Sequence, residues 1–182
     1  ANRPLPTSQL SVVEASVYGV MLGIGGLLIL ANFFNTLTAA IALLSLVLYG
    51  FIYTPLKKIS PINVFVGAIP GALPPLIGWV AATGTLGIEA WILFGIQFIW
   101  QFPHFWAIGW FLFEDYKKGG FFMLPTGKQD KGTAVQTIIY TIWTLIVSIV
   151  PVFGFTGKLQ LSIAAAVLVF SLGLGMLHYA IQ

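Results

Sequence analysis

The sequence predicts an all-α, polytopic transmembrane helical bundle, and three observations predict it. Hydrophobic residues fill 58% of the 182 positions and charged residues only 7%, with a mean hydropathy of +0.97, a balance that no water-soluble core could hide. Six apolar runs reach the roughly 17 to 25 residues needed to cross the hydrocarbon core of a bilayer. Basic residues gather in alternate connecting loops, the pattern that fixes orientation in a membrane.

The six runs are Val12–Ala31, Leu37–Tyr53, Asn63–Ala82, Ala90–Phe113, Ala134–Phe155 and Leu159–Ile181. The segment before the first lacks the layout of a signal peptide. With no initial Met and with Gln182 inside a membrane-grade stretch, the chain is expected to be a fragment. Short turns at 32–36, 83–89 and 156–158 require antiparallel neighbours, so residues 1–182 are expected to form one bundle. The third run carries Pro70, Pro74 and Pro75 beside Gly67, Gly71 and Gly78, which fits either close packing through small residues or the wall of a cavity.

With six spans the loops alternate between two faces. The N-terminal segment, the 53–62 loop and the 114–133 loop then share one face, which holds Arg3, Lys57, Lys58, Lys117, Lys118, Lys128 and Lys131, against Lys158 alone on the other. Positive charge accumulates on the cytoplasmic side. The basic face is therefore expected to look into the bacterial cytoplasm, or into the matrix if the membrane is the mitochondrial inner one. There are no cysteines, so a disulfide framework and a thiolate metal site are excluded, and any metal must be held by oxygen or histidine.

Two groups of polar residues stand out. In the fourth run Gln97, Gln101 and His104 fall at i, i+4 and i+7, one face of a helix, and Asp115 follows Gln97 by eighteen residues, five whole turns. Ionisable groups inside a membrane are functional hypotheses by default, while amides and histidine also bridge neighbouring helices by hydrogen bonds. The second group is the loop Glu114-Asp115-Tyr116-Lys117-Lys118-Gly119-Gly120. Mg²⁺ takes one or two carboxylates together with substrate phosphates, and ammonium groups neutralise the remaining phosphate charge. Lys57, Lys58 and Arg3 are expected on the same face.

Tyr53-Thr-Pro-Leu-Lys-Lys58, with Asn63, Gly67 and Gly71-Ala-Leu-Pro-Pro-Leu-Ile-Gly-Trp79 after it, resembles the UbiA-type intramembrane prenyltransferases, in particular their haem O synthase branch. So do Pro103-His-Phe-Trp-Ala107 and the Glu114-Asp-Tyr, Gly-Gly, Met123-Leu-Pro125 loop, and Asn2-Arg-Pro-Leu-Pro6 is similar to the segment after the family's first aspartate-rich motif. The resemblance runs nearly the whole length. It implies nine spans, of which these six are the third to eighth, with the first aspartate-rich motif before Ala1. Phe121-Phe122 departs from the family pattern, a change expected to alter packing only.

The resemblance further implies farnesyl diphosphate as donor, haem b as acceptor and Mg²⁺ bridging the diphosphate. Asp115, helped by Glu114, is the expected metal and catalytic pair, with Lys58 beside them in the chemistry. Lys57, Lys58, Lys118 and Arg3 are expected on phosphate, Asn63 and Gln101 on substrate, and Trp79, Phe105 and Trp106 on prenyl or porphyrin. His104, roughly 16 Å from Asp115 along a continuous helix, is expected to serve haem, since imidazole ligates iron or donates to a carboxylate. Partners implied are the lipid bilayer and other haem or oxidase assembly proteins, and no nucleic acid. A quinone-pathway prenyltransferase and a small-molecule transporter are the alternative functions.

Overall fold

The computed structural model describes residues 4–5 and 7–181; Arg3 lies outside the described residues. Every regular element among them is helical: α1 (Val12–Phe33), α2 (Thr36–Val47), a π-helical turn (Leu48–Tyr53), α3 (Thr54–Leu56), α4 (Asn63–Thr83), α5 (Ile88–Phe111), α6 (Phe113–Lys118), α7 (Lys131–Ser148) and α8 (Ile163–Ile181). Among the described residues five helices are long and apolar enough to cross a membrane: Val12–Phe33, Thr36–Leu56, Asn63–Thr83, Lys131–Phe153 and Ile163–Ile181. The molecule is an integral membrane protein, and its outer helices show why. Neither α1 nor α8 contains a buried residue, and they present Val12, Met21, Phe33, Ile163 and Leu172 outward, surface that hydrocarbon tolerates and water does not.

The fourth expected span, α5, has 24 residues and so roughly 36 Å of length. Gln97, Gln101, His104 and its tryptophans lower its hydropathy, which keeps it out of the five. Connectivity still returns it across the layer. The Phe122 N–H after α6 donates to the Lys57 carbonyl before α4 at 2.9 Å. Since α4 leaves that end, α5 must come back to it.

Helix ends have identifiable causes. Ser11 and Glu14 form a reciprocal capping box at α1, and Asn35 caps α2 by accepting from the Thr38 N–H at 2.8 Å. The second helix runs three residues past the expected Tyr53, to Leu56, because its end is wound wide. Thr54 N–H bonds the Tyr49 carbonyl, five residues back. Where one run was expected over Ala90–Phe113, the helix breaks at Leu112 (φ −103°, ψ 27°) before α6 begins. The stripe from Gln97 to Asp115 is therefore not one continuous helix face. Pro151, which cannot donate, turns the end of α7 into a 3₁₀ turn (Val150–Phe153) closed by Gly154 at φ 77°. On that side Glu89 accepts the Lys158 N–H at 2.8 Å and ties the α7–α8 connection to the start of α5.

The centre of the bundle is α4, which packs on α2 and α5; α5 packs in turn on α7, and α7 on α8. Pro70, Pro74 and Pro75 lie inside α4 without breaking it. A proline at position i leaves the carbonyl at i−4 without its helical donor, so Pro74 and Pro75 release those of Pro70 and Gly71. Both are met from neighbouring helices. Ser45 Oγ on α2 reaches the Pro70 carbonyl at 3.5 Å, and Gln101 Nε2 on α5 donates to the Gly71 carbonyl at 2.9 Å. Of the two readings left open for α4, close packing is the one seen here. Along α7, Thr137, Thr141, Thr144 and Ser148 satisfy their hydroxyls on carbonyls four residues back, which lets a polar stripe enter an apolar layer.

Gln101→Leu is expected to destabilise the detergent-solubilised protein by about 1 kcal/mol, the typical effect of orphaning one acceptor. Ser45→Ala should have a smaller effect because its bond is long. Thermal unfolding of both variants checks the order.

Candidate active site

At the end of the bundle where the π-helical turn, α5 and α6 meet lies a cavity of about 510 Å³ lined by Tyr49, Tyr53, Lys57, Phe105, Ile108, Leu112, Asp115, Tyr116, Phe121 and Met123. It joins an ammonium from one loop to a carboxylate from the other. Tyr49, Tyr53 and Lys57 follow one another at four-residue intervals, so they share a face. The Tyr49 and Tyr53 rings lie 5.3 Å apart, and Lys57 Nζ reaches back over both, 4.2 Å from the Tyr53 centroid and 5.3 Å from that of Tyr49. Burial pushes the Lys57 ammonium below its usual pKa. Tyr53 is nearly inaccessible, its ring close against Gly67. A Cβ there would meet the ring at 2.5 Å, so only glycine permits the seat.

The opposite wall is α6 and the chain after it. Asp115 sits in the first turn of α6 with Glu114, and Lys117 and Lys118 in the last, an order that suits the helix dipole. Gly119 and Gly120 close a Schellman cap. The Phe121 N–H bonds the Tyr116 carbonyl at 2.9 Å and the Gly120 N–H that of Lys117 at 3.1 Å, with Gly120 at φ 68°. The Phe121 and Tyr116 rings meet at 6.2 Å, the apolar contact that accompanies this motif. Asp130 then caps α7, and donation from the Thr133 N–H and the Thr126 hydroxyl holds its carboxyl below the usual carboxylate range.

Of the residues singled out in the sequence, Lys57, Phe105 and Asp115 line this cavity. Glu114 does not; it lines a small neighbouring hollow of about 150 Å³ shared with Asp115 and Gln129, as expected for adjacent side chains about 100° apart. Lys58 lies exposed at the rim, 5.8 Å from the Phe121 ring, and Lys118 is exposed at the end of α6.

Five others lie elsewhere, among them Trp79, which packs against the Ile41, Leu73 and Val80 cluster. Asn63 is fully buried, and its Nδ2 donates to the Ser60 carbonyl and to that of Phe122, so it fastens the acidic loop to the start of α4. Gln101 bridges α5 to α4 as described, the alternative that its spacing left open. Trp106 is buried against Phe102 and Tyr140 in the core. His104 stacks on Trp100, with ring centroids 4.3 Å apart, and its ring lies 5.9 Å from that of Phe105, although it does not itself line the cavity.

Sequence reasoning assigned no site role to Tyr49, Tyr116 or Phe121. The spacing of Tyr49, Tyr53 and Lys57 was the available signal for the first. Phe121 was expected to affect packing alone, yet it lines this cavity and a second one of about 370 Å³ bounded by Phe113, Lys117 and Lys128. Among the described residues no cluster of three or more histidines and carboxylates could hold a metal by itself. Two adjacent carboxylates do fit a Mg²⁺ ion whose remaining ligands are water and phosphate oxygens.

Membrane-length helices around a cavity with an ammonium on one wall and a carboxylate on the other define an integral membrane protein with a polar pocket at one end. The chain belongs to the UbiA prenyltransferase family, whose model matches residues 1–182. Among curated relatives it is 58% identical over 181 residues to a protoheme IX farnesyltransferase of Christiangramia forsetii, covering 100% of this chain and 60% of that protein. It is 50% identical over 169 residues to the enzyme of that name from Cytophaga hutchinsonii, covering 91% and 59%. Over 163 residues it is 46% identical to that of Solibacter usitatus, covering 88% and 56%. The chain thus spans about 60% of the length of the first of these relatives. No solved structure shows a significant match.

Gly120→Ala is expected to strain the cap by about 1–2 kcal/mol, the cost of a left-handed residue that carries a Cβ. Limited proteolysis between residues 119 and 130 should accelerate more than global unfolding shifts.

Proposed function

We propose that the whole protein transfers the farnesyl group of farnesyl diphosphate to a vinyl group of haem b. The observation that carries this is the meeting of Lys57 and Asp115 on one membrane-end cavity, in a chain whose curated relatives bear the name protoheme IX farnesyltransferase. The Lys57 ammonium neutralises the diphosphate as negative charge develops on the departing oxygen, where a fixed charge lowers the barrier most. Lys58 and Lys118 add positive charge at the rim, and Glu114 helps from the side. Asp115 would hold Mg²⁺, which when bound neutralises diphosphate charge as a Lewis acid.

The chemistry balances with water as co-reactant. The allylic C–O bond breaks and its electron pair leaves with diphosphate. The vinyl π electrons form the new C–C bond to the farnesyl carbon, and water adds to the resulting benzylic-type cation with loss of one proton, leaving a hydroxyethylfarnesyl group. Ile108, Leu112 and Met123 keep bulk water from the first cation, since early capture would give only the prenyl alcohol. The basic loops and the cavity mouth face the cytoplasm of a bacterial cell, and α5 is the fourth of six spans.

Purified full-length protein, given haem b, farnesyl diphosphate and Mg²⁺, should yield a haem enlarged by one farnesyl group and one hydroxyl group in mass spectrometry. Product from 4-hydroxybenzoate instead would assign the fold to another acceptor. Asp115→Asn should lower turnover by about 100-fold or more while the protein stays inserted, the scale of losing a charge-stabilising group, and Glu114→Gln should lower it less. Lys57→Ala should raise KM for farnesyl diphosphate about tenfold or more, consistent with a lost charge-assisted contact of about 1.5–3 kcal/mol. Isothermal titration with a non-hydrolysable farnesyl analogue checks the last point.

A further inference from the structure

The Lys57 ammonium lies over two tyrosine faces that also line the cavity. Ring faces attract cations through their quadrupole within about 6 Å of the centroid. The distances of 4.2 Å to Tyr53 and 5.3 Å to Tyr49 place Lys57 within that range of both. The rings are held for the purpose. Gly67 seats Tyr53, and the π turn with its Tyr49 carbonyl to Thr54 N–H bond fixes Tyr49 one turn earlier. Tyr49 carries its ring half-exposed on the cavity wall.

A diphosphate in the cavity attracts the same ammonium more strongly than a ring face does, because it offers full anionic charge and direct hydrogen bonds. The flexible four-carbon stem of lysine lets Nζ move while its Cα stays in place. Once Nζ turns to the diphosphate, the two ring faces are without a cation at the moment one is being made next to them.

We propose that the Tyr49–Tyr53 pair is a cation-binding face, occupied by Lys57 in the resting protein and by the allylic cation during transfer, with Tyr49 as a catalytic residue. The inference rests on the prenyl-transfer reading above. In the step concerned the allylic C–O bond breaks, both electrons leave with the diphosphate, and the positive charge shared between C1 and C3 of the prenyl chain lies against the rings. The acceptor's vinyl electrons then quench it. Charge on the prenyl group is full only after the bond has broken, so the rings stabilise the transition state more than the bound substrate. Their effect belongs in kcat rather than in KM.

The test uses full-length protein with phenylalanine, 4-fluorophenylalanine, 3,5-difluorophenylalanine and 3,4,5-trifluorophenylalanine at position 49. Fluorine drains the ring face of negative potential while changing its shape little. The logarithm of kcat should fall stepwise from the phenylalanine variant to the trifluoro variant, by about tenfold in all for a partly desolvated contact, with KM for farnesyl diphosphate nearly constant. Released farnesol should rise as a share of product, because a less sheltered cation is captured by water more often. A flat series, or one that moves KM alone, overturns the proposal and leaves Tyr49 a wall residue. If Tyr49→Leu fails to insert, the fluorinated series still decides, since it preserves the ring. Wild-type protein that turns over no allylic diphosphate with any acceptor overturns this inference and the prenyl-transfer reading together; turnover with a flat series overturns this one only.

Discussion

Hydrocarbon offers no hydrogen bond to a carbonyl that a proline has released, and α4 carries three prolines near its middle. That obligation organises the bundle. Gln101 is bonded to α4 because the Gly71 carbonyl requires a donor, and Ser45 approaches because the Pro70 carbonyl does. Where α2 and α5 pack on α4, small residues make room for their side chains: a Cβ at Gly71 would collide with Gln101, and one at Gly67 with Tyr53.

The cavity mouth is coupled through one residue. Lys57 offers its carbonyl to the Phe122 amide and its ammonium to the tyrosine rings, so the backbone that carries the cation also anchors the segment behind the carboxylates. Asn63 adds a second tether from the same side by donating to the Phe122 carbonyl. Two loops far apart in sequence are held as one unit, with the basic residue on one wall and Asp115 on the other.

Much of the architecture was legible in the sequence because it follows from hydropathy alone. Length and apolar content marked the helices, and the loops that bear Lys57 and Asp115 do lie together. Side-chain roles were less legible, since residue type and spacing give a face but not what the face meets. Gln101 has the same position on α5 whether it bonds a ligand or a carbonyl, and only the prolines on a different helix decide between them. Asn63 and Trp106 were expected on substrate yet are buried among protein partners. The break at Leu112 and the π turn at Leu48–Tyr53 depend on tertiary packing. A search weighted toward charges and amides overlooked Tyr49, whose relevance comes from the lysine folded over it.

The Schellman cap at Gly119-Gly120 has a consequence for binding thermodynamics. A glycine pair at the rim of a site invites the picture of a lid that freezes when its ligand arrives, and such freezing subtracts from affinity the entropy of every torsion it fixes. Here the two cap bonds and the Tyr116–Phe121 contact have already spent that entropy during folding. On the proposed reading the acidic turn meets the diphosphate already folded, so selectivity among anions would rest on shape and charge instead of on which of them can fold the loop.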